Sequence, residues 1–443
     1  MTHDNPKLNL PKGWRLVPLN RVADIIPSNV DKKIYAHELP IRLCNYMDVY
    51  SNDYLSRAIQ FSSGSVTLAE FQKFRLKQED VIITKDSETP DDIAVPAVVI
   101  EDLGNVVCGY HLALLRPNGE ITGTYLSKAL QTHLCRRHFG NTANGATRYG
   151  LTQKVISRCP ILLPTKQEQV KISQILTTLD QAIEKSEHII NKYEHIKTGL
   201  MQDLLTRGID GQGNIRSEEM HEFKDSPLGK IPKEWDVKTM SDLCLVNPPK
   251  KKLADDCLVS FLAMADVSDN AKIISKTELP FAKVSSGFTS FIEDDILVAK
   301  ITPCFENGKG AYAIGLKNGF GYGSTEFHVL RPKEGIFGKL VYHITTSRNF
   351  RKAGKSVMIG SAGQQRVQKQ FFERYFIGFP SSLKEQKMIA KVLDEQDNLI
   401  EIEKSNLAKH LALRSALMQD LLTGKVRVDS IIDAKILKNE HQS

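Results

Sequence analysis

Seven cysteines are spread over 443 residues without one C-x-x-C pair, which excludes zinc ribbons and thioredoxin-like redox motifs. Their count is odd, and Cys44, Cys108, Cys135, Cys159, Cys244, Cys257 and Cys304 read as reduced thiols of a cytoplasmic protein. Long apolar runs are missing too. No stretch approaches the roughly 18 residues a spanning helix needs, and the N-terminus lacks a basic then apolar pattern, so neither secretion nor membrane insertion is expected. The 12 histidines form no H-E-x-x-H, and acidic pairs such as Asp91-Asp92 have no matching partners, so neither a metal site nor a nucleophile is expected. So little chemistry in so long a chain points to recognition rather than reaction.

What is present is a repeat. Leu200-Met201-Gln202-Asp203-Leu204-Leu205-Thr206 recurs as Leu417-Met418-Gln419-Asp420-Leu421-Leu422-Thr423, and the same offset carries Glu168-Gln169 onto Glu385-Gln386, Ile172 onto Ile389, Leu176 onto Leu393, Asp180 onto Asp397 and Ile183 onto Ile400. No residue is gained or lost between these matches, so the length of this segment matters. Upstream the offset drifts. Pro11-Lys12-Gly13-Trp14 answers Pro232-Lys233-Glu234-Trp235, with apolar Leu19 and Val22 or Met240 and Leu243 following. Each tryptophan reads as an anchor packing the start of a domain. Met47-Asp48-Val49 answers Ala265-Asp266-Val267, and Asp80 to Lys85 answers Asp295 to Lys300; both are expected in sheet. Leu114-Leu115-Arg116-Pro117 and Val329-Leu330-Arg331-Pro332 predict a strand ending at proline.

Thr165-x-x-Glu168 and Ser382-x-x-Glu385 are capping boxes that open two amphipathic helices. A heptad frame places Leu176, Ile183, Ile190, Lys197 and Leu204 with Ile172, Leu179, Ser186, Tyr193 and Leu200 on one seam. The second copy offers Leu393, Ile400, Leu407, Arg414 and Leu421 with Ile389, Gln396, Glu403, His410 and Leu417. The seam is apolar at its ends and polar between. Helices of about 40 residues and roughly 60 Å are unstable alone on one stripe, so they are expected to pack on each other. Gly208 and Gly424 are stop signals. The predicted order is a globular domain at 11–163, a helix at 164–208, a polar linker at 209–230, a second globular domain at 231–380, a helix at 381–424 and a tail at 425–443. The fold class is mixed α/β. The tail after Arg427 has no counterpart in the first copy, and its mixed composition predicts poor order.

Lys and Arg number 59 against 52 Asp and Glu, a net charge of +7. That balance suits a polyanionic partner but is also common in soluble enzymes. Basic and amide side chains gather before each helix: Arg136, Arg137, Asn141, Asn144, Thr147 and Arg148 in one copy, Arg348, Arg351, Lys352, Lys355, Gln364, Gln365 and Arg366 in the other. With Lys85 and Lys300 these are the candidate DNA contacts, because Arg and Lys suit phosphate and guanine while Asn and Gln suit adenine. A solvated charged face explains any one of them equally well. Gly354-Lys355-Ser356 lacks the first glycine of a phosphate loop and reads as part of the basic patch. Gly319-Phe320-Gly321-Tyr322-Gly323 lacks the third dinucleotide glycine and reads as a turn between strands. Asn247-Pro248-Pro249-Lys250 resembles the base-holding loop of amino-methyltransferases, but lysine replaces the aromatic ring and no F-x-G-x-G donor loop is present.

Two globular halves, each opened by I/L-P-K-x-W and closed by proline, E-Q and a helix ending in L-M-Q-D-L-L-T, resemble the specificity subunit of type I restriction-modification systems over about residues 11 to 426. The resemblance implies two target-recognition domains joined by spacer helices packed as an antiparallel coiled coil, each domain reading half of a split DNA site. It implies a non-catalytic chain that binds two methyltransferase subunits and, in the full complex, restriction/translocase subunits. S-adenosylmethionine and ATP with Mg would then reside in those partners, and none in this chain. The alternatives are a stand-alone DNA adenine methyltransferase and a coiled-coil scaffold without a nucleic-acid role.

Overall fold

The computed structural model describes residues 10–361 and 363–428. Four helices frame the two halves of the chain: α1 (His133–Thr142), α2 (Lys166–Thr206), α3 (Arg348–Ser356) and α4 (Leu383–Leu422). Contacts divide the chain into two compact units. One comprises residues up to 187 plus 405 onward, the other residues 188–404. Each unit therefore holds one globular domain, the start of the helix that follows it and the end of the other long helix.

In the first unit a five-stranded sheet runs in the order Ala23–Pro27, Leu112–Pro117, Val81–Thr84, Pro96–Val99, Tyr54–Leu55. The second unit repeats it with four strands, Cys244–Val246, Phe327–Pro332, Ile296–Ala299 and Gly310–Tyr312. Both strands expected to end at proline do so. The recurring Asp and Arg of these strands form the same buried fork. Arg116 Nε and Nη2 lie 2.9 and 2.7 Å from the oxygens of Asp80, and Arg331 Nε and Nη2 both lie 2.8 Å from those of Asp295. Each aspartate is 1% exposed, and removing one partner of such a pair typically costs about 3–5 kcal/mol.

The opening and closing strands of each domain pair antiparallel, Arg15–Pro18 with Pro160–Leu163 and Trp235–Thr239 with Phe376–Pro380. This seam brings each tryptophan under its helix start. Trp14 Nε1 donates to both oxygens of Glu168 at 3.3 and 3.2 Å, and Trp235 Nε1 donates to Glu385 at 3.1 Å. Beside each glutamate, the glutamine clamps the helix start to the turn after the Arg-Pro strand. Gln169 accepts from Thr122 N–H and donates to Glu120 O; Gln386 accepts from Phe337 N–H and donates to Gly335 O. The repeated Trp, Glu and Gln are therefore one buried joint.

The reciprocal capping box forms at Thr165 and Glu168. At Ser382 the expected box gives way. Glu385 instead takes Trp235, the Ile209 N–H at 3.1 Å and both Nη atoms of buried Arg216. Arg427 stands in the same role in the first unit, 2.6 Å from Glu168 and donating to Lys12 O. Arg216 of the second unit and Arg427 of the first are thus equivalent partners of the two glutamates. The remainder of the tail, 429–443, lies outside the described residues.

Within each unit the two long-helix segments run antiparallel. In the first unit Arg414 Nε reaches Asp180 at 2.6 Å, and Ile172 and Leu176 share a core with Leu417, Leu421 and Leu422. In the second unit Lys197 meets Asp397 at 2.6 Å and Lys404 meets Glu194 at 2.7 Å, while Leu200 and Leu204 share a core with Ile389 and Leu393. The polar seam positions Lys197 and Arg414 thus face the repeated aspartates. Gly208 and Gly424 adopt φ of +66° and +74° just past the helix ends, the left-handed geometry of a C-terminal stop. A Cβ at Gly208 would also fall 2.4 Å from the Trp235 ring.

Two local expectations are corrected, at Met47-Asp48-Val49 with its counterpart and at the glycine-rich Phe320–Gly323. Met47-Asp48-Val49 lies in a helical turn, Tyr46–Tyr50, and Met264–Asp266 is a 3-10 turn, because each aspartate accepts a hydrogen bond from the backbone N–H three residues earlier, at 2.7 Å. The linker is folded, with a hairpin of Phe223–Ser226 and Gly229–Pro232. The glycine-rich Phe320–Gly323 is a strand; its Gly321 makes room for Phe291, whose ring lies 2.0 Å from where a Cβ would sit. Among the described residues no helix is long and apolar enough to cross a membrane.

Candidate nucleic-acid interface

Three neighbouring strands of each domain deliver their loops to one end of the sheet. In the first domain the strand Val81–Thr84 runs out into Lys85, and Tyr110-His111 leads into the antiparallel strand Leu112–Pro117. Backbone bonds gather the loops there. Lys85 N–H donates to His111 O at 2.8 Å, Tyr110 N–H to Val30 O at 2.8 Å, and Leu151 N–H to Lys85 O at 2.9 Å. The second domain repeats the pattern, with Lys300 N–H on Glu326 O at 2.9 Å and Val367 N–H on Lys300 O at 2.8 Å. Loops held on a rigid sheet end are where binding residues concentrate.

In the first domain this end collects Lys85, Asn144, Thr147 and Arg148. Asn144 exchanges both backbone bonds with Gly150, at 3.1 and 2.9 Å, which leaves Thr147 and Arg148 exposed on the loop between them. Arg136, Arg137 and Asn141 are exposed along α1, whose contacts reach the 90–92 turn of the same loop set. Lys85 Nζ sits 5.2 Å over the ring of Tyr110.

The second domain divides its candidates. Arg348, Lys352 and Lys355 are exposed on α3 at spacings of four and three, forming one basic face; Lys355 also meets Glu306 at 2.8 Å. Lys300 and Gln365 lie at the sheet end, where Gln365 exchanges bonds with Thr302, and Gln364 is exposed. Arg366 is engaged by Glu326 through Nε and Nη2 at 3.1 Å.

Arg351 must be removed from the candidate contacts. It is buried and donates to Thr345 O, Phe305 O and Gly308 O, with its guanidinium 4.9 Å from the Phe305 ring. Burial pulls its pKa down to about 10. It fastens α3 to the domain and, buried there, is turned away from any ligand on the surface. Gly354 of the basic patch has a similar packing role, lying against Phe305.

The asparagine of Asn247-Pro248-Pro249-Lys250 is likewise engaged by the fold. Its N–H donates to Val329 O and its Oδ1 accepts from Val329 N–H, while Nδ2 lies 3.0 Å from His328 Nδ1. His328 Nε2 donates to Val367 O at 2.8 Å, so the ring is the neutral tautomer with Nδ1 accepting. Burial depresses its pKa to about 4. A base-holding asparagine would need that amide free, which argues against a methyltransferase site here.

Several residues of this sheet end escaped the sequence. Asp86 pairs with His111, Tyr46 stacks on Tyr50 with centroids 5.7 Å apart, and Tyr50 donates to Asp92 at 2.7 Å. Their offsets from the repeated strands were visible, but their side chains differ between copies and no repeat marked them. Among the described residues no group of three or more His, Cys, Asp or Glu is arranged to hold a metal ion.

The chain matches the family model for the type I restriction modification DNA specificity domain twice, over residues 11–195 and 232–411. It is 35% identical over 239 residues to the type I restriction enzyme EcoAI specificity subunit of Escherichia coli, covering 52% of this chain and 40% of that subunit. The chain thus matches less than half the length of that relative. It is 23% identical over 443 residues to the MjaVIII specificity subunit of Methanocaldococcus jannaschii, covering 96% of this chain and 95% of the other. The solved type I restriction-modification S subunit from M. genitalium superposes with a TM-score of 0.56 at 13% identity, covering 94% and 97% of the two chains, a likeness of fold.

Proposed function

Since the chain belongs to the type I restriction modification DNA specificity family, we propose that it is the non-catalytic DNA-reading subunit of a type I restriction-modification complex. Each globular domain reads one half of a bipartite site, and the two long helices set the spacing of the halves. The observation that carries this reading is the duplicated sheet end, where equivalent backbone bonds hang basic loops from Lys85 in one domain and Lys300 in the other. Two copies of one reader suit two half-sites, and a helix pair of constant length suits a fixed gap.

On this reading the chain works in the cytoplasm and docks two methyltransferase subunits, with restriction/translocase subunits in the full complex. S-adenosylmethionine would serve the methyltransferases and ATP with Mg the translocase. The exposed basic residues supply phosphate contacts, so binding falls steeply with salt. The test is to map N6-methyladenine across the source genome with the gene present and deleted. Loss of a split motif on deletion is the expected result; an unchanged methylome, with no DNA binding by the reconstituted complex, would overturn the proposal.

A further inference from the structure

The two sheet ends share a backbone but not a chemistry. By the repeat offsets, Tyr46, Tyr50, Tyr110 and Tyr149 of the first domain are answered in the second by Met264, Ser268, Thr325 and Gln365, and Asp86 by Ile301. Asp86 is the hub of the first face. His111 holds its Oδ2, the Tyr149-Gly150 strand pairs with Asp86-Ser87, and Tyr110 packs edge-on against His111 with centroids 4.0 Å apart. Among the described residues the other oxygen, Oδ1, takes no hydrogen bond. It lies 3.3 Å from where a Cβ on Gly150 would sit, so the glycine leaves its approach open.

A carboxylate at a phosphate-facing surface is repelled by DNA unless it meets a donor. His111 engages one of its oxygens, and an ionised carboxylate can only accept hydrogen bonds. In the major groove the base edges offer two donors, the exocyclic amino groups of cytosine and adenine. Resting on the DNA-reading function proposed above, we propose that Asp86 is a specificity-determining residue of the first domain, accepting through Oδ1 from the exocyclic amino group of one cytosine or adenine of its half-site. His111 positions the carboxylate, and Tyr110 walls the approach. The second domain, with isoleucine at this position, reads its half by other contacts.

The experiment expresses the full complex carrying Asp86→Asn and maps methylation genome-wide. The expected result is that one position of the first domain's word relaxes, losing about tenfold in discrimination, a factor typical of one good base contact. The other word and the gap stay unchanged. Whether the relaxed position was cytosine or adenine identifies the donor. An unchanged word overturns the proposal. If Asp86→Asn abolishes methylation altogether, His111→Gln decides. Retention of the original word by that variant shows that the carboxylate does more than pair with His111, as proposed; loss of the whole site there as well makes the pair a structural tie and overturns it. Absence of any split motif with the unaltered chain would count against the DNA-reading function itself, a different result from either.

Discussion

Replacing Glu385 with glutamine tests the buried joint at the start of α4. The carboxylate is 7% exposed and receives the Trp235 indole, the Ile209 N–H and two guanidinium nitrogens of Arg216, itself 8% exposed. The amide keeps the volume but removes the charge and turns donors toward donors. An unpaired buried arginine costs roughly 3–5 kcal/mol, a large part of the ~5–15 kcal/mol that holds a domain. Trp14 and Trp235 are the chain's two tryptophans and lie in different units, so each reports one unit. In a Trp14→Phe background, urea unfolding followed by Trp235 fluorescence should move its midpoint down by about 1–2 M, at a slope of roughly 2–3 kcal/mol/M. In the converse Trp235→Phe background, Trp14 should report an unmoved first unit. A Trp235 midpoint within about 0.3 M of its parent would refute the claim that this pair locks the second unit.

His328 makes the second unit acid-sensitive. Its folded pKa of about 4 lies below the unfolded value near 6.5, so the unfolded chain binds the extra proton between these values and stability falls with pH. About 2 kcal/mol should be lost between pH 7 and pH 5, read from the Trp235 midpoint, and His328→Gln should flatten that slope. Arg351→Ala should destabilise the second unit by about 2–4 kcal/mol in the same assay, through stranded carbonyls and lost packing on Phe305. Lys352→Ala should leave stability within about 0.5 kcal/mol but reduce the salt slope of DNA binding by about one. Deleting seven residues from each long helix at matched positions, inside 183–200 and 400–417, should shorten each by about 10 Å. The methylated words should persist while the gap contracts by about three base pairs at 3.4 Å each; altered words would sink the ruler idea.

The repeat made the architecture legible because repeated residues proved to be joints. Trp14, Glu168 and Gln169, Asp80 with Arg116, and Asp180 with Arg414 all recur as contacts in the second unit or in equivalent form. Patterning also revealed the long helices and the strands that end at Pro117 and Pro332. It misread Asp48 and Asp266, where a short side chain accepting from the backbone outcompetes the β-like composition around it. It could not tell Arg351 from its exposed neighbours on α3, since burial depends on Phe305, 46 positions away in the chain. The proposed reading face was the least legible part. Asp86, the Tyr110-His111 pair, the Tyr46–Tyr50 turn and Tyr149 lie on separate segments that only the fold brings together, and nothing in their spacing announces it.

The ends of the long helices also decide the order in which the chain can fold as it is made. The second unit is continuous, residues 188–404, and its core is complete once α4 has begun. The first unit waits for Leu417, Leu421, Leu422 and Val428, which close its core from the far end of the sequence. On the ribosome the first domain is therefore synthesised first and finished last. Through most of translation it carries an open apolar face, the kind of surface chaperones hold, and it is sealed as the final turns of α4 emerge.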